Sequence, residues 1–278
     1  MNSYLIIKTL NNNVLIIKDD NNQEWIVFGR GIGFNKKQFD YLDDILIENK
    51  YALVDSKTLI QYQNLINSSK EIALTMSEWI ISEMIKRFGN DYNQYVHISL
   101  LDHLNFALKR IKENMIINNI FDSELKFIYP SEYQFSLEMV NRIKSELNVA
   151  LPDSEIGMIT LHIHSALHNE KVSDTSLIIN IVARIVNYLE NEYGKVNDEI
   201  LKNRLIIHLK FAIKRSIEKV TIKNDLKEII RKRFYKSYQV ANDIYTIIDN
   251  EFGISLDESE IFYLALHLQN IFNFGGEN

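Results

Sequence analysis

An internal repeat constrains the fold of this chain more than any other feature of its sequence. The segment HLNFALKR at residues 103–110 returns as HLKFAIKR at residues 208–215, an offset of 105 (208 − 103 = 105). The same offset aligns further matches without a gap, among them Gly89 with Gly194, Tyr133 with Tyr238, Glu155 with Glu260 and His162 with His267. Apolar residues recur at helical spacing through both copies. The pattern predicts two copies of one all-α domain of about a hundred residues.

The N-terminal residues have a different pattern. Three apolar-rich runs, residues 4–10, 14–18 and 24–28, each end in a cluster of Asn, Asp or Gly. These residues tolerate the backbone angles of tight hairpin turns, so the runs are predicted to be antiparallel strands. Residues 51–54 could form a fourth strand. Three or four short strands form too small a core to be stable alone, so this module is expected to dimerise.

The fold class that follows is multidomain, with a small antiparallel β-module and two helical-bundle repeats behind it. We place the β-module at residues 1–55, the first helical domain at 66–171 and the second at 172–278, with the boundary in a polar stretch near residues 171–175. The two prolines, Pro130 and Pro152, both stand where a helix could begin.

Composition narrows the classes of function. The net charge of −6 argues against a generic nucleic-acid binder, yet residues 1–39 contain five basic and three acidic side chains, which suggests a polyanionic partner. The absence of cysteine excludes disulfides and thiolate chemistry. The N-terminus lacks the pattern of a signal peptide and the apolar runs are short, so we expect a cytoplasmic protein without membrane insertion.

The repeat divides the seven histidines into two groups. Each copy has the same two histidines 59 residues apart (162 − 103 and 267 − 208), whereas His97, His164 and His168 have no histidine at the equivalent position. A structural hydrogen-bonding role remains open, since duplication also preserves structural residues. Zinc would need several converging ligands, and a catalytic triad would not need two equivalent histidines per copy. Neither metal, cofactor nor catalytic residue is therefore assigned.

Reversible phosphorylation fits the repeated histidines better, because a neutral imidazole is a competent nucleophile near neutral pH. His103 and Arg110 lie on one side of a helix by their seven-residue spacing, so Arg110 could reach a phosphoryl group on His103. Arg215 could do the same for His208. A solvated helix end is an equally good interpretation of both arginines.

Four motifs, in this order, resemble the BglG/SacY family of transcriptional antiterminators over essentially the whole chain. They are LNNNV at residues 10–14, GRGIGF at 29–34 followed by two lysines, DHLNFA at 102–107 and EIGMITLH at 155–162. The segments IYPSEYQ at 128–134 and LHIHSAL at 161–167 are most similar to the glucose-responsive branch.

The resemblance implies a function for each part. The β-module would be a co-antiterminator RNA-binding domain whose homodimer holds an RNA hairpin in a sugar-operon leader and so prevents termination. The helical repeats would be regulation domains of the sugar phosphotransferase system. The phosphocarrier HPr and a sugar-specific Enzyme II would phosphorylate His103, His162, His208 and His267. In the family, Enzyme II acts mainly on the first copy and inhibits, whereas HPr often activates through the second; the sign in this chain stays open.

For RNA contact, the family pattern falls on Lys8, Asn13, Gly29, Arg30 and Phe34. Asn offers a donor and an acceptor, glycine allows close approach of a backbone, arginine pairs with phosphate or base, and phenylalanine gives a stacking face. The plainer interpretations are a turn residue for Asn13, a core residue for Phe34 and a solvated face for the lysines.

Three rival functions differ in class. A DNA-binding activator with the same regulation domains would need a helix-turn-helix ahead of them, where strands are predicted instead. A phosphotransferase component would have to pass its phosphoryl group onward. A sugar-binding sensor would need an aromatic and carboxylate cluster, which the sequence does not reveal.

Overall fold

The computed structural model describes residues 3–29, 31–51, 61–62, 64–66, 68–115, 122–223 and 227–273. The chain divides into two compact units. The first consists of Met1–Ile117 and Phe135–Glu170, and the second of Asn118–Gln134 and Lys171–Asn278. Within the described residues no helix is both long and apolar enough to cross a membrane.

An antiparallel sheet of five strands occupies the N-terminal part of the first unit. The strand order is β4-β1-β2-β3-β5, and the bounds are β1 Ser3–Thr9, β2 Val14–Lys18, β3 Glu24–Phe28, β4 Tyr41–Asp43 and β5 Asn49–Tyr51. The small antiparallel module predicted from sequence is confirmed, with β2 and β3 at their predicted bounds.

Two short strands lie at the edges of this sheet. β4 was not predicted, because three residues are too few to display the two-residue alternation of a strand. The fourth strand predicted at 51–54 is described only at Tyr51, where β5 ends, and residues 52–54 lie outside the described part.

The turn between β1 and β2 is built by asparagine. The side-chain oxygen of Asn11 accepts hydrogen bonds from the backbone N–H groups of Asn13 and Val14, at 2.8 and 2.9 Å. This side chain replaces backbone partners in the turn, which is the physical reason for Asn at this point. One face of the sheet holds the core, formed by Tyr4, Ile6, Leu15, Ile17, Val27, Ile32 and Leu42.

Ten helices with defined bounds follow among the described residues, five in each copy of the repeat. The first copy contains α1 Glu71–Phe88, α2 Val96–Lys112, α3 Asp122–Ile128, α4 Pro130–Leu147 and α5 Ser154–Leu167. The second contains α6 Val172–Tyr193, α7 Glu199–Glu218, α8 Lys227–Arg233, α9 Tyr235–Phe252 and α10 Glu258–Phe272. The offset of 105 places α3 on α8 and α4 on α9 residue for residue, so the two helical repeats are confirmed.

In both copies a glycine ends the first helix. Gly89 after α1 and Gly194 after α6 have φ angles of 96° and 90°, in the region that favours glycine. The two copies differ in the packing of their short helices, α3 and α8. α3 belongs to the second unit and packs against α6 and α7, whereas α8 packs against α9 and α10. A compact unit is therefore not identical with a copy of the sequence repeat.

Replacing Gly29 by alanine should destabilise the sheet. A Cβ on Gly29 would lie 2.3 Å from the backbone oxygen of Leu46. The matched control is Gly31→Ala, where no neighbour lies near the added Cβ and only the φ of +70° opposes alanine, at roughly 1–2 kcal/mol. We expect amide exchange in β1–β3 to accelerate more in Gly29→Ala. Equal protection in the two variants would contradict the close approach.

Candidate functional site

The fold brings the two repeated histidines of each copy together. In the first copy, α2 supplies His103 and α5 supplies His162, and their ring centroids lie 5.1 Å apart. In the second copy, α7 supplies His208 and α10 supplies His267, at 4.8 Å. The spacing of 59 residues thus corresponds to one helix pair whose facing sides meet, in both copies.

A buried carboxylate connects His103 to Arg110. Glu155 on α5 lies 2.8 Å from His103 through Oε2 and Nε2, and its Oε1 accepts a hydrogen bond from Arg110 at 2.5 Å. The side chains of His103 and Arg110 are 8% exposed and that of Glu155 is 4% exposed. Arg110 is therefore not a solvated helix end, and its partner is Glu155.

The second copy repeats this arrangement with a looser contact. Arg215 Nε donates to Glu260 Oε1 at 2.6 Å, but His208 Nε2 lies 3.6 Å from Glu260 Oε2, beyond hydrogen-bond distance. Neither of those two atoms has a hydrogen-bond partner among the described residues. Arg215 is 27% exposed, against 8% for Arg110. The carboxylate of the second copy is thus less fully paired.

The two glutamates were missed as site residues in the sequence. The repeat does contain a signal for them, because Glu155 and Glu260 occupy equivalent positions in the matched segments 154–156 and 259–261. Nothing in either segment shows that its carboxylate faces a histidine 52 residues earlier in the chain. That relation depends on the packing of two helices.

Burial lowers the pKa of three of the four repeated histidines, namely His162, His208 and His267. Burial, and then the charge of His103, lower the pKa of His162 to about 3; its Nδ1 also contacts Ser99 Oγ at 3.2 Å. Burial, followed by the charges of His267 and Arg215, lowers the pKa of His208 to about 4. A neutral ring keeps the lone pair that a nucleophile needs.

Opposing effects act on the Glu155 carboxylate. Burial alone would raise its pKa, but the hydrogen bond from His103 and the charges of His103 and Arg110 together hold the pKa below its ordinary value. The carboxylate is therefore ionised at neutral pH. Because an ionised carboxylate can only accept, His103 Nε2 donates to it, and Nδ1 is the ring nitrogen left for other chemistry.

An open cleft gives access to the first histidine pair. It has a volume of about 560 Å³, and His103, His162 and Ser99 line it together with Asp102, Phe106, Tyr95, Ile98, Gln61 and Leu65. A cleft of this volume can admit a side chain of a docking protein.

The residues predicted to contact RNA have different surroundings. Phe34 is 65% exposed, so it is not a core residue, and Lys8 is exposed as well. Gly29 is buried, and Arg30 lies outside the described residues. Asn13 is part of a turn, and its side-chain amide makes two hydrogen bonds there. Oδ1 accepts from the Gly31 N–H at 2.8 Å, and Nδ2 donates to Thr75 Oγ1 at 3.0 Å.

A basic groove lies beside β1. Lys8, Lys36 and Lys37 line it, together with Thr9, Gln38, Glu24, Ile7 and Ile16, and its volume is about 700 Å³. Three lysines around one groove form a surface that attracts phosphate groups. The structure thus places Lys8 with two lysines of the motif at 29–37 rather than with Asn13.

Comparison with known proteins agrees with this architecture. The CAT RNA binding domain family matches residues 4–59, and the PRD domain family matches residues 78–166 and 180–271. Protein GlcT from two strains of Staphylococcus aureus, bovine RF122 / ET3-1 and Newman, is 33% identical over 276 residues, which is 97% of either chain. The solved structure "Crystal structure of GlcT CAT-PRDI" is 37% identical, with a TM-score of 0.54, and covers 59% of this chain and 98% of its own.

An RNA-binding β-module followed by two regulatory helical domains with paired histidines defines a class of phosphorylation-controlled transcription regulators. The chain belongs to the BglG/SacY family of antiterminators, as its sequence motifs predicted. It is an RNA-binding antiterminator regulated by phosphorylation through the phosphotransferase system. Within the family it is similar to the GlcT proteins, in agreement with the expected glucose-responsive branch.

Acid should destabilise the first unit through His162. In the folded chain the pKa of this ring is about 3, whereas in the unfolded chain it accepts a proton below its ordinary value of 6.5. The stability that depends on this group is complete above pH 6.5 and falls as the pH drops toward 3, by about 1.4 kcal/mol per pH unit for one proton.

The measurement is chemical unfolding of the full chain from about pH 7 to pH 4.5, followed by hydrogen exchange of α5. His162→Gln should give a shallower pH dependence than His168→Gln, which replaces an exposed histidine of the same unit. Identical slopes in the two variants would exclude His162 as the titrating group.

Proposed function

We propose that this protein binds an RNA hairpin in the leader of a sugar operon, with glucose as the sugar sensed, and that phosphorylation of His103, His162, His208 and His267 controls the binding. The main support is that both copies place their repeated histidines together beside a buried carboxylate and an arginine. HPr and a sugar-specific Enzyme II are the proposed phosphoryl donors. The protein acts as a homodimer in the cytoplasm and is a regulator rather than an enzyme.

The domain division that goes with this function is the one drawn from the sequence. Residues 1–55 bind RNA, residues 66–171 form the first regulation domain and residues 172–278 the second. A DNA-binding activator is the weaker alternative. It would need a helix-turn-helix, whereas the described residues from 3 to 51 contain five strands and one short 3-10 helix.

Phosphoryl transfer needs one nucleophilic ring nitrogen and one donor. The lone pair on His103 forms a bond to the phosphorus of a donor phosphohistidine, the donor N–P bond breaks, and its electron pair returns to the donor ring. The new group adds about −1.5 to −2 charges beside Asp102 and Glu155. Repulsion from these carboxylates and attraction to Arg110 would both change the packing of α2 against α5.

RNA would contact the exposed parts of the β-module. Phe34 offers a stacking face, and Lys8 with Lys36 and Lys37 attracts the phosphate backbone. Arg30 is proposed from the family pattern. Asn13 donates one Nδ2 hydrogen to Thr75 and offers the second to RNA, and Gly29 acts by allowing the close turn rather than by touching RNA.

The proposed sites are tested by mass spectrometry of the full chain under conditions that preserve phosphohistidine, after incubation with HPr and Enzyme II. Phosphate is expected on the repeated histidines, with a change in RNA affinity and dimer fraction. His97 is the internal control, since it has no repeat partner. Phosphate on His97 or His168 with none on the four repeated histidines would refute the site assignment.

Phe34→Ala should weaken binding of the hairpin by about 1–3 kcal/mol, the cost of one lost stacking contact. It should leave the fold intact, because Phe34 is 65% exposed. The matched control is Phe39→Ala, an equally exposed phenylalanine of the same module at 66%. Both are measured by gel shift of the full chain on RNA and on DNA of the same sequence. Equal affinity for the two nucleic acids would remove the RNA-specific function.

A further inference from the structure

The first copy contains a buried pair of polar side chains that the second copy lacks. Glu78 on α1 and His97 on α2 lie 2.9 Å apart, and their side chains are 0% and 2% exposed. At the equivalent positions the second copy has Ala183 and Lys202. A buried polar pair adds little stability compared with apolar residues, yet leaving one member without its partner is costly. Its presence in one copy alone therefore favours a role in positioning something that only the first copy contacts.

That partner is the linker, which we define as residues 61–70 between β5 and α1, described except for 63 and 67. The hydroxyl group of Tyr62 donates to Glu78, the ring of Tyr62 stands edge-on to His97 at 5.9 Å, and Tyr62 is fully buried. A single linker side chain thus reaches both members of the buried pair.

A second contact fixes the other end of the linker. Asn105 on α2 donates from Nδ2 to Ser69 Oγ at 2.6 Å and accepts from the Lys70 N–H at 3.2 Å. The equivalent of Asn105 in the second copy is Lys210, which cannot do both. All three residues that hold the linker are therefore specific to the first copy.

The same linker forms part of the wall of the histidine cleft. Gln61 and Leu65, on either side of Tyr62 in sequence, line the cleft with His103 and His162. Directly after the linker, the first turns of α1 contact the RNA-binding module, where Asn12 donates to Glu71 and Asn13 donates to Thr75. The linker is thus in contact with the histidine site and is continuous with the helix on which the RNA-binding turn rests.

We propose that Tyr62 is the positioning residue through which the first histidine pair acts on the RNA-binding module. The inference rests on the proposed phosphorylation of His103 or His162. A phosphoryl group in the cleft adds charge and volume against Gln61 and Leu65. Withdrawal of the linker would break the hydrogen bond from Tyr62 to Glu78, so we expect a seated position with this bond and a released position without it. The second copy acts by another route, because it has neither Glu78 nor His97.

The test uses the full chain with His208→Ala and His267→Ala, so that phosphate is confined to the first copy. RNA affinity is measured by gel shift with and without phosphorylation, and exchange of the amides of residues 61–66 is measured in parallel. In the chain that keeps Tyr62, phosphorylation should change RNA affinity by about fivefold or more. With Tyr62→Phe the change should fall below about twofold, with the same phosphate content and faster linker exchange even before phosphorylation.

The matched control is Tyr235→Phe, which removes a hydroxyl that accepts from Gln239 at 3.0 Å in the second copy. It should leave the response at its full size. A second variant, Glu78→Ala with His97→Lys, installs the residues of the second copy and should behave like Tyr62→Phe.

The outcomes separate the two proposals. A chain that takes phosphate on His103 or His162 and binds RNA as before would overturn both, and so would a chain that takes no phosphate there. A full response in Tyr62→Phe, equal to that of Tyr235→Phe, would overturn the role of Tyr62 alone.

Discussion

The contact between Glu155 and the side chains of His103 and Arg110 is the interaction on which the regulatory part depends. A carboxylate taken out of water needs compensation, and here one oxygen faces the histidine while the other accepts from the arginine. Both partners lie on α2, so the carboxylate holds α5 against that helix. A phosphoryl group on His103 would compete for the same arginine. With the proposed phosphorylation of His103, one set of charges would serve both the packing of α5 on α2 and its control.

The second copy has the same residue types at this site, but its carboxylate is paired less closely. Glu260 is paired with Arg215, but its other oxygen lies 3.6 Å from His208, and Arg215 is more exposed than Arg110. A less fully paired site costs less to rearrange. Two copies of one domain can therefore respond differently to the same modification, which a regulator with two phosphorylation inputs requires.

Among the differences between the two copies are three polar residues of the first copy that meet the linker. Glu78, His97 and Asn105 are polar side chains at positions where the second copy has alanine or lysine. Each of them contacts the segment that leads to the RNA-binding module: Glu78 and the ring of His97 contact Tyr62, and Asn105 contacts Ser69 and Lys70. The copies thus differ at the contact that only the first of them makes, whereas the histidines, glutamate and arginine of the site are the same in both.

The sequence by itself determined the domain classes, the repeat, two strands at their bounds and the pairing of histidines between copies, because turn residues, periodicity and a gapless offset are local or self-comparing signals. It did not reveal β4, which is too short to show a period, or the assignment of α3 to the second unit. Only the tertiary structure decided that Glu155 joins His103 to Arg110 and that Tyr62 reaches Glu78. These contacts join helices distant in the chain, and no pattern along one helix specifies which side chain of another will face it.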